Sequence, residues 1–243
     1  MLVRRISILS VFLFVFIFSV DSFSQRFLGA VSAGVNLSQV DGDEVYGFKK
    51  IGLNIGPSVI FPFGKDKKWS LSMELLFSQQ GSTQKSVNTA RDTISSDTGH
   101  YDGYRLTLNY IQVPLILHFT DKRIVAVGVG FSYSQLVAVS EYENYDDPRG
   151  YVRTSTTLSG PYKKADFEVL GDVRLRIWQK LWLNVRYSYS MVPIRERHFS
   201  VAIPNGVNEW DRKQYNNVVS VRLVYIFNDL LPNKKKKKAD DSD

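Results

Sequence analysis

The chain has 243 residues, a formal charge of +7, 44% hydrophobic residues and no cysteine. The missing cysteine excludes a disulfide framework, thiolate chemistry and a lipid attached through an N-terminal cysteine. Much of the positive excess is local, because Lys234, Lys235, Lys236, Lys237 and Lys238 stand together, so the charge does not describe a broad basic surface.

Residues 1–24 read as a secretory signal: Arg4 and Arg5 precede an apolar run over 6–20, and Ser22 and Ser24 flank Phe23. Cleavage is expected before Gln25. An uncleaved anchor is the alternative, but the run is shorter than the span of about 20 residues that a membrane helix needs, and Asp21 follows it at once. Losing Arg4, Arg5 and Asp21 leaves a mature chain of charge +6. No later apolar run approaches helix-spanning length. A membrane location would therefore require a closed barrel, in which every backbone group is paired between strands.

From Gln25 onward the pattern predicts eight strands, each at least the roughly 9 to 11 residues that cross a bilayer when tilted. The first, 27–40, sets Val31, Ala33, Val35 and Leu37 against Ser32, Gly34, Asn36 and Ser38. The second, 51–61, sets Ile51, Leu53, Ile55, Val59 and Phe61 against Gly52, Asn54, Gly56 and Ser58. The third, 69–80, sets Trp69, Leu71, Met73, Leu75 and Phe77 against Ser70, Ser72, Glu74 and Ser78. The fourth, 104–119, changes phase: Leu106, Leu108 and Tyr110 are even, whereas Ile111, Val113, Leu115, Leu117 and Phe119 are odd. A bulge near Asn109 and Tyr110 would reconcile them, and Pro114 should disturb the pairing.

The fifth strand, 123–142, points Val125, Val127, Val129, Phe131, Tyr133, Val137 and Val139 outward. The sixth, 164–177, places Asp166, Glu168, Asp172, Arg174 and Arg176 on one face and Phe167, Val169, Val173, Leu175 and Ile177 on the other. The seventh, 181–191, sets Asn184, Arg186, Ser188 and Ser190 against Leu183, Val185, Tyr187, Tyr189 and Met191. The eighth, 215–227, alternates Val219, Val221, Leu223, Tyr225 and Phe227 with Asn216, Ser220 and Arg222.

Connections after the even strands are short, and those after the odd strands are longer and polar, as over 82–103, 143–162 and 193–214. That asymmetry belongs to barrels with short periplasmic turns, with both termini in the periplasm. Phe61, Trp69, Phe119, Trp178, Trp182 and Phe227 would form one aromatic girdle, and Phe77, Tyr104, Tyr142, Tyr187 and Tyr189 the other. A secreted soluble sandwich or lipocalin-like barrel shares the alternation. It lacks the wholly apolar outer face, the charged inner face and the regular loop asymmetry. The expected fold is an all-β, eight-stranded antiparallel transmembrane β-barrel over 25–229, followed by a lysine-rich periplasmic tail, 230–243.

Residues 34–42 (GVNLSQVDG), 73–81 (MELLFSQQG), 109–115 (NYIQVPL), 186–198 (RYSYSMVPIRERH) and 214–227 (QYNNVVSVRLVYIF) together resemble the PorT-like outer-membrane β-barrel proteins of Bacteroidetes. The resemblance runs over the mature chain and implies an eight-stranded outer-membrane barrel. The namesake is an accessory of the type IX secretion system, so a role in protein export is implied. The family defines no catalytic residues.

The inward charges Glu74, Asp166, Glu168, Asp172, Arg174, Arg176, Arg186 and Arg222 are expected to pair across a side-chain-filled lumen, because eight strands enclose little more space than side chains need. Gly52, Gly56, Gly128 and Gly130 would leave room for the arginines. An ion or solute path is the alternative. For catalysis the sequence offers His198 with Ser200, and His100 with Asp97 and Asp102, neither in a recognised motif. His118 reads as interfacial or packed. Asp41, Asp43 and Glu44, or Asp146 and Asp147, supply oxygen donors without the spacing of a calcium loop. No metal, cofactor or nucleic acid is expected. The expected partners are outer-membrane lipid and envelope or secretion proteins, met through Tyr145, Tyr151, Phe199 and Trp210. The lysine tail is either a solvated end or a contact for anionic lipid or an acidic partner. A surface ligand binder or adhesin using the same loops is the second functional expectation.

Overall fold

The computed structural model describes residues 27–43, 47–64, 66–85, 101–147, 150–156, 160–203 and 206–228, with no helix among them. The strands are β1 (Leu28–Asp41), β2 (Lys50–Phe63), β3 (Trp69–Glu74), β4 (Leu76–Lys85), β5 (Tyr101–Asp121), β6 (Val125–Asp147), β7 (Gly150–Thr156), β8 (Ala165–Arg176), β9 (Leu181–Ser190), β10 (Arg195–Ile203) and β11 (Gly206–Ile226). All pairings are antiparallel, and β1 pairs with both β2 and β11, so the sheet closes. With β3 and β4 as two halves of one wall strand, the ring has eight staves. Both pieces pair with β2 and with β5. Hairpins β6–β7 and β10–β11 extend beyond the ring.

The ring is staggered. Paired residues lead from Ala126 through Arg174, Asn184, Arg222, Gly34, Asn54, Ser78 and Tyr110 to Leu136, ten residues further along the strand where the path began. Such a stagger tilts the strands and sets a lumen only as wide as its side chains. The seam is pinned at the end where the short turns lie: Gly29 N–H donates to Asn228 Oδ1 at 3.0 Å, and the Asn228 amide donates to the Phe27 carbonyl at 2.8 Å.

Period-two alternation becomes a two-faced wall. Ile51, Val59, Met73, Leu115, Val129, Phe131, Phe167, Val185 and Leu223 are exposed on the outside, while Asn36, Ser72, Ser78, Asp166, Asn184 and Arg222 are buried inside. An apolar belt encircling a whole molecule far exceeds the patches soluble monomers show.

The wall strand β3/β4 breaks at Leu75, which lies opposite Pro57 of β2, and Glu74, still paired with Ser58 of β2, has no ladder partner on the β5 side, where Pro114 stands opposite. Neither proline has an N–H to give, so the ladder lapses from both sides at one height.

Three expectations about the wall are corrected. The register slip falls where it was expected, between Asn109 and Tyr110, but its extra residue is on β6: Asn109 pairs with Ala138 and Tyr110 with Leu136, leaving Val137 over. Strand β5 keeps one phase, and Leu106, Leu108 and Tyr110 are buried inside; it is β6 that flips, turning Val139 and Glu141 inward. The aromatic girdles lose Trp182 and Tyr104, both buried in the lumen. Of the inward glycines, a Cβ at Gly52, Gly56 or Gly130 would strike a neighbouring backbone carbonyl within 2.1 Å, so they permit close strand approach rather than housing arginines. At Gly128 the nearest atom is instead a side chain, with the Cβ position 2.5 Å from His118 Cδ2.

Candidate functional site

The lumen is filled in layers. At its centre β8, β9 and β11 aim arginines at one carboxylate on β3. Glu74 Oε1 accepts from Arg174 and Arg186, both at 2.9 Å, and Oε2 accepts from Arg186 and Arg222, both at 3.0 Å. Arg186 also donates to Asp172 Oδ2 at 3.0 Å. Asn184 takes two donors of Arg222 on its carbonyl oxygen. Three guanidiniums thus meet two carboxylates in a buried layer, where ions persist only when paired and hydrogen-bonded.

His118 extends this layer. Its Nε2 lies 2.8 Å from Asp172 Oδ1 and its Nδ1 3.0 Å from Ser72 Oγ. The carboxylate needs a donor, which puts the proton on Nε2 and leaves Nδ1 to accept from the Ser72 hydroxyl. The connectivity is that of a nucleophilic triad with the two ring nitrogens exchanged. Ser72 is fully buried, and through Asp172 the trio joins the charged layer.

Towards the long-loop end lies a layer without arginine. Glu168 accepts from Gln112 at 3.1 and 3.0 Å, and Asp166 Oδ2 accepts from Ser190 at 2.6 Å and Asn216 at 2.9 Å. Beyond it Val40, Leu106, Leu108, Leu136 and Ile194 form an apolar cap. Within that cap Arg195 donates to both oxygens of Glu141 at 2.8 and 2.9 Å, and its guanidinium stacks on Tyr162 with 4.5 Å to the ring centre. At the other end Ala30, Ile60, Ala126, Trp182, Val224 and Ile226 form an apolar floor. A cavity of about 240 Å³ opens there, between that floor, His118 and Arg174, with Lys67, Arg123 and Arg176 also lining it.

A closed ring of eight staves, an apolar exterior and an ionic interior together describe a membrane barrel. A model of the outer membrane protein beta-barrel domain family matches residues 22–195. The chain belongs to that family. This outer-membrane barrel resembles several solved structures at low identity. The attachment invasion locus protein Ail of Yersinia pestis shares 11% identity over 83% of this chain and 99% of its own, with a TM-score of 0.43. Neisserial surface protein A shares 12% over 83% and 96%, with a TM-score of 0.38. A major outer membrane protein of Thermus thermophilus shares 10% over 83% and 100%, with a TM-score of 0.44. No curated protein matches the chain.

The structure brings Glu74, Asp172, Arg174, Arg186 and Arg222 of this outer-membrane barrel into one network and sets Asp166 and Glu168 in the next layer. Arg176 is elsewhere. It lies at the short-turn mouth, its guanidinium 4.5 Å from the Trp182 ring centre and its Nη1 donating to the Gln179 carbonyl at 2.9 Å. Sequence reasoning missed Glu141 and Arg195, because the first needs the Val137 bulge to turn inward and the second sat in a stretch read as loop. Residues Tyr145, Tyr151 and Phe199 fall in β6, β7 and β10, so they belong to hairpins rather than loops. Their side chains lie outside the described residues; Trp210, paired with Phe199 across β10–β11, is half-buried. The signal segment, His100, Glu44 and the lysine tail also lie outside the described residues.

His198 and Asp211 face each other across the β10–β11 hairpin, Nδ1 to Oδ1 at 2.8 Å. The Asp211 hydrogen bond raises the imidazole pKa above its ordinary value of 6.5. The contact is therefore complete below that value and fades as pH rises through the raised midpoint. An NMR titration should place the His198 midpoint above 6.5, and Asp211→Asn should return it to the ordinary range.

Proposed function

We propose that the protein is an accessory of protein secretion or envelope assembly that works through contacts at its rims and outer wall, not by passing solutes. The observation that carries this reading is the bridged lumen, in which one carboxylate ties three arginines between an apolar floor and an apolar cap. A barrel so filled offers other molecules only its ends and its outside. In this reading the short turns and both termini lie in the periplasm and the β6–β7 and β10–β11 hairpins outside the cell. The PorT-like resemblance supports the type IX secretion system as the export route.

Three measurements test it. Reconstituted in planar bilayers, the protein should give no stable conductance; reproducible open channels would sink the proposal. Cross-linking in intact outer membranes followed by purification should recover envelope or secretion proteins, and deletion of the gene should strand exported cargo in the periplasm. A clean monomer that instead binds an external ligand through its hairpins would favour an adhesin.

A further inference from the structure

We infer that the cavity at the short-turn mouth is a docking pocket for an acidic peptide segment of a partner protein, whose carboxylate meets the mouth cations while a neighbouring apolar side chain fills the floor. The inference rests on the proposed accessory role for the existence of that partner.

Among the described residues the mouth is lined by four cations, Lys67, Arg123, Arg174 and Arg176, and by no aspartate or glutamate. Arg174 spends its Nη2 on Glu74 in the layer above and Arg176 its Nη1 on the Gln179 carbonyl, and Lys67 and Arg123 complete the lining. Cations gathered without acids in a low-dielectric concavity focus a positive potential into it. Below them the surface is apolar, formed by Ile60, Trp182 and Ile226 among others. The pocket thus asks for an anion and a greasy group joined together.

The turn chemistry points the same way. Lys67 and Arg123 have positive φ, 51° and 58°, as does Lys122 at 46°. Lys122 and Arg123 occupy the centre of a tight turn closed by the Ile124 N–H to the Asp121 carbonyl at 3.0 Å. A hairpin turn with two positive φ values favours Asn-Gly, and other residues there are strained. Two of these three cations at unfavourable backbone positions, Lys67 and Arg123, line the mouth, where their charge rather than their turn propensity accounts for them. Stacking on Trp182 and the Gln179 contact hold Arg176 at the opening without filling it.

The volume, about 240 Å³, admits one or two side chains and not a folded domain. The opening lies on the barrel axis rather than on the lipid-facing wall, so a bilayer lipid would have to leave its leaflet to enter. A chain segment arriving from the aqueous side meets no such obstacle.

The test uses the full-length protein in zwitterionic detergent and an acetylated, amidated tetrapeptide Gly-Glu-Phe-Gly, its Gly-Gln-Phe-Gly counterpart, and decanoate, titrated by calorimetry. The Glu peptide should bind at least tenfold more tightly than the Gln peptide, and added salt should weaken it. Arg123→Gln with Arg176→Gln should remove that preference, with heat-modifiable gel migration confirming that the variant remains a folded barrel. Equal binding of both peptides, or no change in the variant, overturns the inference. So does binding of decanoate alone, which would make the pocket a fatty-acid site. Peptide binding alongside failed recovery of envelope proteins would keep the pocket and remove the accessory role; the reverse result would remove only the pocket.

Discussion

Glu74→Gln is expected to cost the folded barrel about 3 to 5 kcal/mol, the loss typical of breaking a buried ion pair by removing one partner. Glu74 carries four of the hydrogen bonds that hold Arg174, Arg186 and Arg222. Glutamine retains one acceptor oxygen, turns an amide N–H₂ towards a guanidinium, and leaves Asp172 to balance three positive charges. Because Glu74 sits on β3 and its arginines on β8, β9 and β11, the substitution removes a tie across the lumen rather than along one wall. Urea-driven unfolding in phospholipid vesicles, followed by tryptophan fluorescence, would measure it. Adding Arg222→Met should recover part of the loss, since it withdraws one of the buried charges that Glu74→Gln strands, and the shortfall from additivity reports their coupling. A Glu74→Gln barrel within about 0.5 kcal/mol of the original, the range of an ordinary surface change, would mean that the network does not support the fold.

The ring and its two faces were legible because alternation is a local signal, repeated in every stave. The inward set Glu74, Asp172, Arg174, Arg186 and Arg222 followed from parity alone. What parity cannot locate is the residue that changes it. The apolar evens Leu106, Leu108 and Tyr110 looked like a slip in their own strand, yet they are the apolar cap of the lumen, and the extra residue, Val137, sits on the neighbouring strand. Misplacing it hid Glu141, and with it the pair to Arg195. Arg176 shows a second limit: it shares the face of Arg174 but stands one pleat nearer the rim, where it stacks on Trp182 instead of reaching Glu74. The inward glycines show a third. Their role depends on how close the next backbone runs, which the coiling of the closed ring sets and no single strand records.

Leu223→Arg tests the orientation of the wall itself. Leu223 lies on the outer face of β11 between Ala33 of β1 and Leu183 of β9, 47% exposed, while its neighbour Arg222 is buried in the lumen at 1%. Phe227, packed edge-on against Tyr225 with ring centres 5.6 Å apart, marks the short-turn interface. Four residues of strand, at about 3.3 Å each and tilted by about 40°, raise Leu223 by about 10 Å above that level. The apolar band of such barrels is about 25 Å tall, so the position falls near its middle. An arginine there should cost about 2 to 4 kcal/mol, and Phe227→Arg, at the interface, about 0 to 1 kcal/mol. The gradient separates a bilayer from water as the solvent of this face, since on a soluble barrel both substitutions would add a solvated charge to an exposed site and leave stability nearly unchanged. Unfolding both variants in vesicles measures the difference, and equal, small effects at the two sites would overturn the facing of every strand in the ring.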